Sequence, residues 1–302
     1  MSEKSRVLCS TGAFIGRPNG RDYRLIKEFV PRLECDGIEF MMYSTWYPIV
    51  DTLIADLKSY GLTIPVVHCQ KSIGEKLAGM ETISEGQVDT DRIFSKEEDE
   101  AVFAEGIRQF ADNVKIASKL GASKMVIHLW NGIVSDKNIE KNIERFEVLW
   151  KMADSEGIDL LVENVLCNQQ NPMAHWKALH EAYPQVHFIF DTKMAAFHNQ
   201  TEDIFLPEWN WLFEENRIRH MHINDYGGGY MDWSNLKVLP IGAGHIDFDS
   251  FMGKFLKTGY EGDYTMEATA LGRDGVVDFE MLNRNFASLR ELLNTESESK
   301  NG

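Results

Sequence analysis

The sequence is short of cysteine and proline and has no long apolar run, and each shortage excludes something. Its four cysteines, Cys9, Cys35, Cys69 and Cys167, stand far apart, and none forms a C-x-x-C pair. That spacing excludes a disulfide scaffold, argues against a structural zinc knuckle and suits a reducing cytoplasm. No stretch approaches the roughly 18 apolar residues of a membrane span. The segment from Met1 to Arg6 carries no apolar core of a secretory leader, so a cytoplasmic location is expected. Positive charge is scarce as well: 31 Lys and Arg stand against 47 Asp and Glu, a net charge of −16. Such a field repels phosphate backbones and anionic lipid. No basic run offsets it, so neither nucleic acid nor a membrane surface is an expected partner. With 23 Gly and 8 Pro in 302 residues, collagen-like and low-complexity classes are excluded too. What is present is a hydrophobic fraction of 43%, enough for a large core.

Eight short apolar segments recur, at residues 7–9, 37–40, 64–67, 125–127, 160–162, 186–190, 218–223 and 264–266. Most are rich in β-branched or aromatic residues, as buried strands are. Between them lie segments with helical spacing, at 22–33, 49–60, 101–120, 137–155, 172–183, 248–258 and 278–293, with a weakly marked one around 201–215. Gly121 and Gly157 follow two of them as C-cap signals. Repeated strand–helix alternation leaves a doubly wound sheet or a closed barrel. No G-x-G-x-x-G follows the first strand, and eight units over about 260 residues fit the barrel. The expected fold is a single-domain α/β (β/α)8 TIM barrel over residues 1–295, with 296–302 a disordered polar tail.

The strand ends carry the chemistry. Apolar runs stop at Glu39, His68, His128, Glu163, Asp191, His222 and Glu267. Barrel active sites are built at the C-terminal ends of strands, so these side chains are expected to converge on one pocket. Carboxylates and imidazoles together suit a divalent cation. Any one of them alone could equally cap a loop.

These fragments resemble the xylose-isomerase-like barrels, a family of sugar isomerases, ketose epimerases, inosose dehydratases and type IV endonucleases. The resemblance runs from Val7 to Leu293. It rests on Val162-Glu163-Asn164, Phe190-Asp191-Thr192, His220-Met221-His222-Ile223-Asn224-Asp225 and Met266-Glu267-Ala268. It implies one divalent metal, manganese first with magnesium, cobalt or zinc as alternatives, held by Glu163, Asp191, His222 and Glu267. The departures are informative. Endonuclease members place a ligand where Met194 stands and an Asp-x-His pair where this chain reads Asn235-Leu236-Lys237. Neither Met nor Lys replaces a ligand at a hard cation, so DNA repair is set aside. Ketose epimerases also tend to carry His at the Met194 position and an Arg soon after the His222 segment, which here continues Asp225-Tyr226-Gly227-Gly228-Gly229.

The expected activity is a metal-dependent sugar isomerase or epimerase, with Glu163 and Glu267 as ligands that also serve as base and acid. Glu39, His68, His128, Trp46, Trp130 and Asp225 are candidate substrate contacts; Glu39 and the two histidines could equally support the ligands, and Asp225 could equally orient His222 or cap a loop. His220 and His245 are weaker candidates. Trp46, Tyr47, Trp130, Tyr230 and Trp233 suggest an aromatic mouth, and residues 71–100, long and polar, suggest a lid. The rival activity is a lyase on an oxidised sugar, either a dehydratase or a subunit that deglycosylates a 3-oxo- or C-glycoside. A further rival is a barrel that binds a sugar without turnover. The expected partner is a small sugar or glycoside, within a homo-oligomer or, by resemblance to deglycosylating relatives, a hetero-oligomer with a small second subunit.

Overall fold

The computed structural model describes residues 5–80, 82–84, 87–88, 92, 94–131 and 136–299. Eight parallel strands carry the fold: β1 (Val7–Ser10), β2 (Gly37–Met41), β3 (Val66–His68), β4 (Lys124–Ile127), β5 (Asp159–Glu163), β6 (His187–Asp191), β7 (Ile218–His222) and β8 (Asp263–Met266). They close into a barrel in sequence order, with β8 returning to β1. All eight expected strands are present, most within one residue of their expected ends. Their near-continuous Val, Ile, Leu and Phe are what strands covered on both faces require.

The backbone groups into two compact units. One comprises Met1–Phe40, Ser59–Thr63 and Ile189–Gly302; the other comprises Met41–Lys58 and Ile64–Phe188. In the first, β1 pairs with β2 through Leu8↔Gly37 and Ser10↔Glu39, and with β8 through Val7↔Tyr264. Strands β8 and β7 align Thr265 with His222. In the second, β3 pairs with β4 through His68↔Val126, and β4 with β5 through Ile127↔Val162. Register thus sets the polar strand ends side by side within each unit.

The helices follow local signals. Helix α1 (Val50–Ser59) buries Val50, Leu53, Ile54 and Leu57. The expected lid begins with α2 (Ser72–Leu77), followed by a small hairpin of Thr82–Ser84 with Gln87–Val88. Residues 81, 85–86, 89–91 and 93 of that segment lie outside the described residues. Helix α3 (Lys96–Leu120) starts five residues earlier than its hydrophobic period, because Ser95 and Glu98 form a reciprocal cap: Glu98 N–H donates to Ser95 Oγ at 3.2 Å and Ser95 N–H to Glu98 Oε2 at 2.9 Å. Helix α4 (Ile139–Asp154) and α5 (Pro172–Ala182) follow, α5 capped by Asn171 with Pro172 in its first turn.

Three helical expectations are corrected. Residues 22–33 form not one helix but a 3-10 turn, Ile26–Phe29 as a single α-turn, and another 3-10 turn over Val30–Arg32, since Pro31 has no N–H for the next helical bond. Around 201–215 there are only short turns, Asp203–Phe205, Pro207–Trp209 and Trp211–Glu214. The helix after β6 is instead α6 (Thr192–Phe197), buried along its length. Helix α7 (Phe248–Phe255) precedes β8. The closing helix α8 (Phe279–Ser299) continues four residues into the expected tail, because Thr-Glu-Ser-Glu-Ser holds no Gly or Pro to stop it.

Candidate active site

Strand β7 places His222 at the centre of one cluster. Its Nε2–H is shared between both oxygens of Glu39, at 3.1 Å each. A carboxylate only accepts, so Nε2 carries a proton; when the imidazole is neutral, Nδ1 presents its lone pair. That Nδ1 faces Glu267 Oε2 at 3.5 Å and Asp191 Oδ2 at 3.8 Å. Neither separation is a good hydrogen bond, and the two carboxylate groups crowd one another beside the ring nitrogen. A cation between them resolves that repulsion, so the donor set fits a divalent ion.

Behind His222 the support is dense. Glu39 is fully buried, and Thr265 donates to its Oε2 at 2.8 Å, with His220 Nε2 3.3 Å away and 2.8 Å from the same hydroxyl. Burial opposes the Glu39 charge, but His222 and His220 overrule it and hold the carboxyl well below the usual range. Both Glu39 oxygens are taken up inside, by His222 Nε2 and, on Oε2, by Thr265 as well.

Asn224 is the residue sequence reasoning missed. Its Nδ2 donates to Asp191 Oδ2 at 2.8 Å and to Glu267 Oε2 at 3.1 Å, while its Oδ1 accepts from Glu267 N–H at 2.9 Å. One amide thus fixes two carboxylates from different strands. Its sequence signal is a place in the family fragment, two residues past His222. Asp191 also caps α6, accepting Met194 N–H on Oδ1 at 2.8 Å. That cap explains how Asp191 ends a strand and starts a helix. Met194 itself is buried and offers no hard ligand.

The other unit carries a second cluster at the ends of β3, β4 and β5. His128 Nε2 lies 2.7 Å and His68 Nε2 3.4 Å from Glu163 Oε2, all three side chains being buried. His68 Nδ1–H donates to the Cys69 carbonyl at 2.8 Å. Burial pushes His128 down to about 4, against the pull of Glu163. His68, His128 and Glu163 form one buried group of potential metal ligands. Both histidines address the Glu163 carboxylate.

The remaining candidates divide sharply. Asp225 is buried, and its oxygens accept four backbone N–H groups: Tyr226 at 2.8 Å and Ile246 at 3.1 Å on Oδ1, and Gly242 at 2.9 Å and Gly244 at 2.8 Å on Oδ2. It ties down the Gly-rich loop, the arrangement that the loop-cap alternative expects. Gly244 must lack a side chain there, because a Cβ would meet Tyr226 O and Asp225 Oδ1. Trp130 is fully buried with its indole N–H on Val165 O at 2.9 Å, and Trp46 is 3% exposed against Tyr43. These two indoles belong to the interior and not to an open aromatic rim. Tyr230, 63% exposed, is the aromatic on the surface. His245 is exposed, with its ring 5.6 Å from that of Tyr226.

No helix among the described residues is long and apolar enough to cross a membrane. No curated protein matches the sequence. Solved structures do match. An L-ribulose 3-epimerase superposes with TM-score 0.66 at 15% identity, over 98% of this chain and 97% of that one. The 3-keto-D-glucoside 4-epimerase of E. coli gives 0.61 at 18%, over 95% and 100%. A D-allulose 3-epimerase from Methylomonas, solved with D-allulose, gives 0.65 at 15%, over 95% and 97%. At such identities the likeness establishes the fold. The model of the xylose isomerase-like TIM barrels matches residues 28–285, and on that match the chain belongs to this family.

Proposed function

We propose that this protein is a divalent-metal-dependent sugar isomerase or epimerase that moves a proton next to a carbonyl. The observation that carries the reading is His222: proton fixed on Nε2 by Glu39, Nδ1 turned toward Asp191 and Glu267. Glu163, Asp191 and His222, the last residues of their strands, and Glu267, just past the end of β8, are the ligands in this reading. Oxygen and imidazole donors suit manganese. Bound there, the ion supplies Lewis acidity that stabilises negative charge on the oxygen beside the reacting carbon.

The protein's own part follows from its supports. Asp191 is locked by Asn224 and by its cap on Met194, so it acts as ligand alone. Glu267 has 13% of its side chain exposed and one oxygen on Asn224, which leaves it free to exchange a proton with substrate. Glu163, whose Oε2 lies 2.7 Å from His128 Nε2, serves as the partner carboxylate. One glutamate removes the proton from one face of the sugar and the other returns it to the opposite face. Manganese as the resident ion and the cytoplasm as the location are part of this reading.

A lyase on an oxidised sugar is the second reading. Met194 stands where ketose epimerases tend to carry His, and one structural neighbour is named for a 3-keto-glucoside. Removal of the same proton there expels a group from the neighbouring carbon.

The deciding experiment incubates the manganese-loaded protein in D2O with D-allulose, L-ribulose and a 3-keto-glucoside. Deuterium entering recovered sugar supports the isomerase or epimerase. An unsaturated sugar or free aglycone supports the lyase. Glu163→Gln and Glu267→Gln should each reduce exchange by at least about 100-fold; full exchange in both variants refutes the assignment of base and acid.

A further inference from the structure

Asp136, Cys167 and His175 make a group of different chemistry from the acid-rich clusters: one carboxylate, one thiol and one imidazole. Asp136 leads into α4, Cys167 lies in the loop after β5, and His175 is in the first turn of α5. All three are buried, at 1%, 0% and 1% exposure, and one ligand atom from each lies within 4.8 Å of the others.

Two buried polar atoms of this group, Asp136 Oδ1 and His175 Nε2, lack a partner among the described residues. The nearest approach, His175 Nε2 to Asp136 Oδ2, is 3.5 Å. That is long for a hydrogen bond, so the imidazole is not satisfied by this oxygen. The carboxylate is already oriented: Oδ2 accepts Gln169 N–H at 2.7 Å and Asn168 N–H at 3.1 Å, so Oδ1 is the donor to spare. His175 is braced by the Trp130 ring at 4.9 Å.

We propose that Asp136, Cys167 and His175 bind a structural Zn2+ that pins the loop after β5 to α4 and α5. Sulfur, nitrogen and oxygen together are a zinc set and a poor one for manganese or magnesium. Charge balances as burial demands: one thiolate and one carboxylate neutralise the dication, and the histidine is neutral. Binding releases the Cys167 proton to solvent, and the weak S–H bond to Gln170 O, at 3.4 Å, is given up. A water completes the fourth position.

Cobalt reports on this site without confusion with the carboxylate–imidazole site, since only a thiolate ligand gives near-ultraviolet sulfur-to-cobalt charge transfer. The metal-stripped full-length protein is titrated with Co2+, and then with Zn2+. A charge-transfer band equivalent to one thiolate per chain is expected, abolished by zinc and by Cys167→Ser, and abolished or strongly weakened by His175→Gln. No such band in the wild type, or one that survives Cys167→Ser, overturns the proposal. If neither variant folds, X-ray absorption of the zinc-loaded wild type decides: a sulfur neighbour at about 2.3 Å is expected, and its absence refutes the site. Failure here leaves the proton-transfer reading untouched, because deuterium exchange does not depend on a sulfur ligand.

Discussion

Replacing Glu39 by glutamine separates a supporting role from a substrate contact. Glu39 bonds His222 Nε2 with both oxygens, and a glutamine must present an N–H to one of these donors. The variant is expected to bind Mn2+ about 10–100-fold more weakly, measured by electron paramagnetic resonance titration. At saturating manganese its KM for sugar should be unchanged, whereas a substrate-contact role predicts the reverse. Asn224→Ala tests the same logic from the other side. It removes the amide shared by Asp191 and Glu267, so manganese affinity and kcat should fall together, while circular dichroism stays that of the wild type.

At the scale of elements, Asp99 ties two helices. From the first turn of α3 it contacts Arg145 Nη2 at 2.5 Å and Lys141 Nζ at 3.2 Å, both on α4. Burial opposes its charge, yet the bonds from Arg145 and Lys141 prevail and hold its carboxyl below the usual range. A lowered pKa stabilises the fold above the unfolded value and loses that contribution as pH falls through the folded value. Asp99→Asn should therefore cost about 1–2 kcal/mol at neutral pH, by urea titration. The gap from wild type should close only in acid below about pH 4; a gap that persists there removes the electrostatic explanation. The loop held by Asp225 makes a second case. Asp225→Ala strips acceptors from the N–H groups of Tyr226, Gly242, Gly244 and Ile246. These amides should exchange with solvent at least about 10-fold faster while barrel strands stay protected, since bonds to a charged acceptor are worth about 1.5–3 kcal/mol each.

For the whole molecule, the relevant quantity is the net charge of −16 gathered on a barrel whose strands end in acids and imidazoles. An ion that binds only the folded state stabilises it by mass action. Manganese at about 100 times its Kd should add ~2.7 kcal/mol and raise Tm by several degrees. Differential scanning calorimetry with and without MnCl2 checks this. Sodium chloride at matched ionic strength should give a smaller rise, because it screens self-repulsion without filling a site. Equal effects of the two salts count against a specific ion.

The eight strands and the polar residues that end them were legible from sequence because both signals are local: an apolar run, then a side chain that stops it. So were α1, α4 and α5, whose spacing, caps and stops lie within a few residues. Partnership was not legible. Glu39 and Asp225 both follow apolar runs, yet one reaches an imidazole 183 positions away and the other gathers backbone groups from its own loop. Trp130 stands beside a strand end, yet its indole N–H is held inside by the Val165 carbonyl. Asn224 stands in a family fragment, but nothing at its position shows that its amide reaches two carboxylates. A side chain's chemistry is written at its own position, but whether its charge and protons remain available depends on which neighbours closure of the barrel brings up, and that is settled only in three dimensions.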